Sequence, residues 1–192
     1  MKNKYDARLY RVVRPIISLL FKIIYNPKIV GKENIKKEGR IILAGNHTNI
    51  LDAVLLMSTT KRSIHFLAKD ELWKGLKRVI FSNMGLIPVN RRTKDKNALK
   101  EAIKYLNNDQ VIGIFPEGTI GKNGLLPFKM GAVKMAYETK SKILPFVITG
   151  KYRIFFNDLK IEFLEEVEIK SDDLEKENEK LRSKISKMVG VK

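Results

Sequence analysis

The chain has 192 residues, 44% of them hydrophobic, which is enough for one domain with a buried core and too much for wholesale disorder. It has no cysteine and two histidines, which excludes disulfides, thiolate nucleophiles and cysteine-based zinc sites and argues against a histidine-rich metal centre. Thirty-eight Lys and Arg against 21 Asp and Glu give a formal net charge of +17, so the chain is drawn to polyanions, either nucleic acid or an anionic membrane surface, unless the surplus is only a solvated lysine-rich surface. No RNP-type aromatic signature, zinc-finger spacing or zipper heptad supports a nucleic-acid partner. The lack of disulfides fits a reducing cytosol.

In chain order, residues 1–27 form a separate amphipathic element. Between Ala7 and Tyr25 the polar positions are Arg8, Arg11, Arg14, Ser18 and Lys22, one narrow stripe of a helix whose remaining body is apolar. That pattern suits helices lying at the surface of an anionic leaflet. It does not suit a span, because the longest uncharged run, Pro15 to Phe21, is far short of the roughly 20 residues a bilayer requires. Nor does a small-residue cleavage site follow, as a signal peptide would need. Pro15 is expected to kink the element into two pieces. A helix packed on the domain is the plain alternative.

Residues 28–192 read as one α/β domain: a mixed, mostly parallel central sheet flanked by helices, with its motif-bearing core at 40–150. Residues 28–39 predict a short edge strand and turn, and Ile41-Ile42-Leu43 a buried strand that breaks at Gly45. Ile64 to Ala68 is a further strand, in which His65 reads as a solvent-facing or satisfied core histidine. Leu72 to Asn83 predicts a helix with Trp73 and Phe81 on its buried side. Gly85 to Arg92 is a short strand ending in a basic pair, and Thr93 to Asn107 a helix with Ala98, Leu99, Ala102, Ile103 and Leu106 on one face. The strand Val111 to Phe115 runs into the turn Pro116-Glu117-Gly118-Thr119, followed by a glycine-rich loop, a helix over Gly131 to Thr139 and a buried strand over Ile143 to Ile148. Alternation from Arg153 to Ile169 predicts a half-exposed antiparallel edge, and Asp172 or Asp173 caps a last helix through Met188.

The chemistry centres on Asn46-His47-Thr48-Asn49-Ile50-Leu51-Asp52. His47 falls where a strand turns into a helix, with Asp52 one to two turns along that helix. From there the carboxylate reaches back to one imidazole nitrogen and leaves the other to take a proton. A bare His-x4-Asp is a weak signal, but three further blocks accompany it in order. These are Gly85-Leu86-Ile87-Pro88-Val89-Asn90-Arg91, Phe115-Pro116-Glu117-Gly118-Thr119 and Leu144-Pro145-Phe146, with Ala68-Lys69-x-Glu71-Leu72 and Pro127-Phe128-Lys129-x-Gly131 between them.

Together the four blocks resemble those of the glycerolipid acyltransferase family, and within it its bacterial lysophosphatidic acid acyltransferases, over roughly residues 28–150. The resemblance implies transfer of a fatty acyl group from a thioester, acyl-ACP or acyl-CoA, to the sn-2 hydroxyl of 1-acyl-glycerol-3-phosphate (lysophosphatidic acid), giving phosphatidic acid. It implies no metal and no cofactor beyond the acyl donor. His47 is the expected general base, oriented by Asp52. With no cysteine and no serine in a Gly-x-Ser-x-Gly elbow, direct transfer is expected over an acyl-enzyme. Arg91 is the expected phosphate ligand, because a guanidinium binds phosphate bidentately. Arg92 reads as surface charge. Glu117, Gly118 and Thr119 match the acceptor-binding block, where Glu117 either accepts from an acceptor hydroxyl, pins Arg91 or serves the turn. Lys69 and Lys129 are further phosphate or carrier contacts. Oxyanion donors are expected among backbone N–H groups near Gly118 or beside His47.

One departure stands out. The family's third block continues Thr-Arg-Ser, whereas here Ile120 and Gly121 follow Thr119, with Lys122 as a substitute cation from the loop. That leaves open a different lysophospholipid headgroup. The expected location is the cytoplasmic face of the cell membrane, peripheral and monotopic. A non-catalytic basic membrane-binding protein would explain the charge and the first helix, but not the four blocks.

Overall fold

The computed structural model describes residues 7–73, 75, 77–90, 96–121 and 124–190. Seven strands form one sheet in the order β1-β7-β6-β2-β5-β3-β4. They are β1 (Lys28–Val30), β2 (Ile41–Gly45), β3 (Ile64–Lys69), β4 (Ile87–Val89), β5 (Val111–Ile114), β6 (Lys142–Thr149) and β7 (Lys160–Phe163). Every neighbouring pair is parallel except β6 and β7. The expected mixed, mostly parallel sheet with flanking helices is therefore the observed one. Its centre, β2, is buried at all five residues, as an all-apolar strand covered on both faces must be.

The pleat of β2 divides the core. Ile41 and Leu43 face one layer, where they meet α1 (Arg8–Tyr25) through Tyr10 and Phe21, and α2 (Asp52–Met57) through Leu55 and Leu56. Ile42 and Ala44 face the other layer, made by α4 (Lys96–Asn107), α5 (Gly131–Thr139) and α6 (Leu174–Val189). Asp173 caps α6, its side chain accepting from the Lys176 N–H at 3.1 Å.

Several local expectations change. The helix predicted over Leu72–Asn83 is a single 3-10 turn at Asp70–Leu72 and then a shorter α3 (Lys77–Asn83), with Trp73 and Phe81 in contact at 5.7 Å between ring centroids. The alternating tract 153–169 contributes only β7 as a named strand. β7 is antiparallel to β6 as expected, yet it is not an edge, because β1 pairs along its other side. Asp52 opens α2 instead of lying one to two turns inside it.

The first helix continues as one element through Pro15. α1 runs unbroken from Arg8 to Tyr25, its two halves held by buried Tyr10 on one side of the proline and Ser18 and Phe21 on the other. It ends where Asn26 takes the left-handed conformation and donates to the Lys22 carbonyl, one residue before Pro27. The basic stripe is split by this packing. Arg14 turns inward, Nη1 donating to the Thr60 carbonyl at 3.1 Å, whereas Arg8, Arg11 and Lys22 stay at the surface. On the outer side Val12, Ile16, Leu19, Leu20 and Ile23 are exposed. No described helix is long and apolar enough to cross a membrane.

Candidate active site

The site forms at the C-terminal edge of the sheet, where the parallel neighbours β2 and β5 end side by side with Ala44 opposite Ile114. β2 must stop at glycine: a Cβ on Gly45 would lie 2.5 Å from the Phe146 carbonyl oxygen and would overlap its ring. Asn46 then pins the chain, its side chain accepting from the Ile148 N–H at 2.7 Å and donating to the Ile148 carbonyl at 2.8 Å. This imitates one more residue of the β2–β6 ladder and aims the next residue, His47, out of the sheet.

Asp52, fully buried, gathers donors from every side. His47 Nδ1 lies 2.8 Å from Oδ2, which also accepts from the N–H groups of Thr48 (2.6 Å) and Asn49 (2.9 Å). Oδ1 accepts from the Thr48 hydroxyl at 3.1 Å and the Tyr152 hydroxyl at 2.5 Å. A set of partners made only of donors is the environment of an ionised carboxylate, and such a carboxylate fixes the proton of His47 on Nδ1. Nε2 is then the nitrogen that takes a proton. The imidazole plane is set by Phe115, stacked at 4.3 Å with 16° between the rings, and 17% of the His47 side chain reaches the surface.

Tyr152 lies just past the end of β6. Burial first, and then the charge of Asp52, push its phenol far above the usual range, so it remains a donor at any working pH. Its ring packs edge-on to Phe21 and Tyr25 of α1. The four-block pattern gave no sign of it. The one available signal was its position at the same sheet edge, where parallel strand ends gather site residues.

Glu117, buried in the turn after β5, uses both oxygens to brace the site: Oε1 accepts from the His47 N–H at 2.7 Å and Oε2 from the Leu126 N–H at 2.8 Å. Both bonds serve the turn, one of the roles open to Glu117 from sequence, and extend it to the histidine. Gly118 adopts φ +71 and donates to the Phe115 carbonyl at 2.9 Å. A Cβ there would lie 2.8 Å from Lys129 Nζ, so the absence of a side chain lets that lysine lie across the turn. The Lys129 N–H is in turn held by the Pro116 carbonyl at 2.9 Å, and the Gly121 N–H by the His47 carbonyl at 3.0 Å.

The structure thus brings together His47, Asp52, Glu117, Gly118 and Lys129. Thr119 and Ile120 follow at the surface. Lys69 is exposed at the end of β3, where it is in register with Val89 of β4. Arg91, Arg92 and Lys122 lie outside the described residues. The N–H groups of His47, Thr48, Asn49, Gly118 and Gly121 donate to Glu117, Asp52 and the carbonyls of Phe115 and His47, within the turns around the dyad. Among the described residues no three acidic or histidine side chains converge as metal ligands.

A family model described as Acyltransferase matches residues 26–149. A 1-acyl-sn-glycerol-3-phosphate acyltransferase of Borreliella burgdorferi is 35% identical over 135 residues, 68% of this chain and 54% of the relative. One of Bacillus subtilis is 28% identical over 147 residues, 74% of this chain and 72% of the relative. The chain therefore spans about half the length of the first of these and nearly three quarters of the second. The crystal structure of the 1-acyl-sn-glycerophosphate (LPA) acyltransferase PlsC from Thermotoga maritima covers 99% of this chain and is itself covered to 83%, with a TM-score of 0.75 at 22% identity, a likeness of fold.

Proposed function

The chain belongs to the acyltransferase family, and from that premise we propose that it acylates 1-acyl-glycerol-3-phosphate at the sn-2 hydroxyl to give phosphatidic acid for phospholipid synthesis. The observation that carries the reading is the buried Asp52 carboxylate on Nδ1 of His47, which leaves Nε2 to act as base. Nε2 takes the sn-2 proton as the hydroxyl oxygen attacks the thioester carbonyl of acyl-ACP or acyl-CoA. Asp52, held by the Thr48, Asn49 and Tyr152 donors, stabilises the imidazolium that forms. The tetrahedral intermediate then collapses, the carbon–sulfur bond breaks, and the proton passes from His47 to the departing thiolate. No acyl-enzyme is required and no cofactor besides the donor.

Glu117 acts on this chemistry by holding the His47 backbone. Lys129, across the Gly118 turn, is a cation for the phosphate or the carrier. Arg91 is the proposed bidentate phosphate ligand, supported by its place in the second block, and Lys69 stands on the neighbouring strand end. The exposed apolar face of α1, bordered by Arg8, Arg11 and Lys22, supports a peripheral position on the cytoplasmic face of an anionic membrane, where the lysolipid resides.

The test offers purified protein lysophosphatidic acid in detergent micelles with acyl-ACP and acyl-CoA separately, and then lysolipids with other headgroups. Phosphatidic acid as the main product supports the proposal. Acylation of a different lysolipid in its place assigns the exchange of the family's arginine for Ile120 to a changed headgroup pocket. No product from any pair overturns it.

A further inference from the structure

Most exposed apolar residues outside α1 are scattered, but Ile154, Phe155 and Phe156 are consecutive. They stand 57%, 76% and 56% exposed on the segment between β6 and β7. Such a run in contact with water is unusual for a surface with no partner. Phe155 also holds φ +61, a conformation that a bulky residue adopts only where the surroundings enforce it. The enforcement is visible. The Phe155 N–H donates to the Ile24 carbonyl at 2.7 Å, and Asn26 Nδ2 to Asn157 Oδ1 at 2.6 Å, so the segment is bound to the C-terminal end of α1. At its other end Tyr152 donates to Asp52. The backbone is thus strained and pinned in order to hold aromatic rings outward, beside the helix that exposes its own apolar face and a few residues from the dyad.

We propose that Ile154–Phe156 is a second bilayer-inserting element, which together with the outer face of α1 forms one apolar footprint on an anionic lipid surface. Charge complementarity selects lipid as the occupant. Lys151 and Arg153 precede the tip, and Arg153 is oriented by Asp158 at 3.4 Å and lies over the Phe156 ring at 5.7 Å. Positions 8, 11 and 22 fall along one edge of the α1 face, adding three exposed cations to a chain of net charge +17. Apolar tips among cations are what an interface of acyl chains and anionic headgroups takes up. Two elements fixed to one another resist rocking about α1, and because Tyr152 belongs to the same segment, the seated protein presents the dyad at a set height above the lipid. The inference rests on the reading that the acceptor is a lipid in a bilayer.

The test is flotation of the full-length protein and its Phe155→Ser/Phe156→Ser variant with vesicles of equal phosphatidylcholine and phosphatidylglycerol. Acyl transfer to lysolipid in detergent micelles is measured alongside, as an independent readout of the proposed reaction. The variant is expected to partition about tenfold or more weaker, since each phenylalanine loses most of its transfer from water, with micellar transfer unchanged. A Phe155→Trp probe, with Trp73→Phe to remove the native tryptophan, is expected to be quenched by brominated lipid. Partitioning within twofold of wild type, an unquenched probe, or no vesicle binding by the wild-type chain would each overturn the proposal. So would parallel loss of micellar transfer, which would mark the segment as part of the site. A wild-type dimer that the variant dissociates, with vesicle binding intact, would overturn it by assigning the tip to a second copy. Failure of micellar transfer by the wild type would bear on the reaction alone and leave the vesicle result to be read.

Discussion

Removing the Tyr152 hydroxyl while keeping its ring isolates the contribution of the segment after β6 to the dyad. Tyr152→Phe preserves the packing on Phe21 and Tyr25 and deletes one of five hydrogen bonds to a fully buried carboxylate. A hydrogen bond to a charged group is worth about 1.5–3 kcal/mol, and the four remaining donors place this loss near the lower end, about 1.5 kcal/mol. For a domain of this size that lowers the thermal midpoint by about 3–6 °C. The bond is present before and during reaction, so catalysis loses only the part that strengthens as the imidazolium forms, about tenfold at most in kcat. KM for the lysolipid should be unchanged, because this hydroxyl is committed to Asp52. Differential scanning calorimetry and initial rates on micellar lysophosphatidic acid measure both. A variant that melts and turns over as wild type would refute the role given to Tyr152.

Glu117→Gln puts an amide NH2 against either the His47 or the Leu126 N–H, a donor facing a donor; we expect about 1.5–3 kcal/mol lost in urea unfolding and a lower kcat, and wild-type stability would contradict the bridge. Gly45→Ala drives a Cβ into Phe146, an overpacking of about 1–3 kcal/mol that should lower the thermal midpoint by roughly 2–12 °C. His65 is buried with its Nδ1 2.8 Å from the Gly85 carbonyl oxygen, and burial pulls its pKa below the ordinary value of 6.5, the hydrogen bond opposing. The unfolded chain therefore binds the proton first. Stability is fully present above about pH 6.5 and falls by up to about 1.4 kcal/mol per unit as pH drops toward the folded value. Urea midpoints at pH 7.5, 6.5 and 5.5 should show this slope in wild type and a shallower one in His65→Phe; equal slopes would rule it out.

Much of the fold was legible because its strands are short apolar runs between glycine, proline and charge. Ile41-Ile42-Leu43, Val111 to Ile114 and Ile143 to Ile148 are continuous apolar runs that need cover on both faces, and all three lie at the centre of the sheet between the helix layers. The second strand-to-helix link was less legible. The predicted helix from Leu72 gives way to a 3-10 turn that ends at Trp73 and an α3 that starts at Lys77, and the one local sign of this was Gly75 between them. The tract after Arg153 alternates well enough to read as an edge, but β1, distant in sequence, covers β7 in space. His47, Asp52 and Glu117 were found by motif. What the motif could not show is how they are wired, because those bonds run to backbone N–H groups of Thr48, Asn49 and Leu126, which any residue but proline supplies. Tyr152 was hidden for a related reason: its partner lies 100 residues away.

The central claim is that Nε2 of His47 removes the acceptor proton. The most direct measurement is kcat and KM of His47→Ala on lysophosphatidic acid with the preferred thioester, beside a melt confirming that the variant folds. The account predicts kcat reduced by about 10²–10⁴-fold, as expected on losing a general base, with KM little changed. A folded variant that keeps kcat within about threefold of wild type would contradict it, because no rate loss on this scale from a missing base would then be visible.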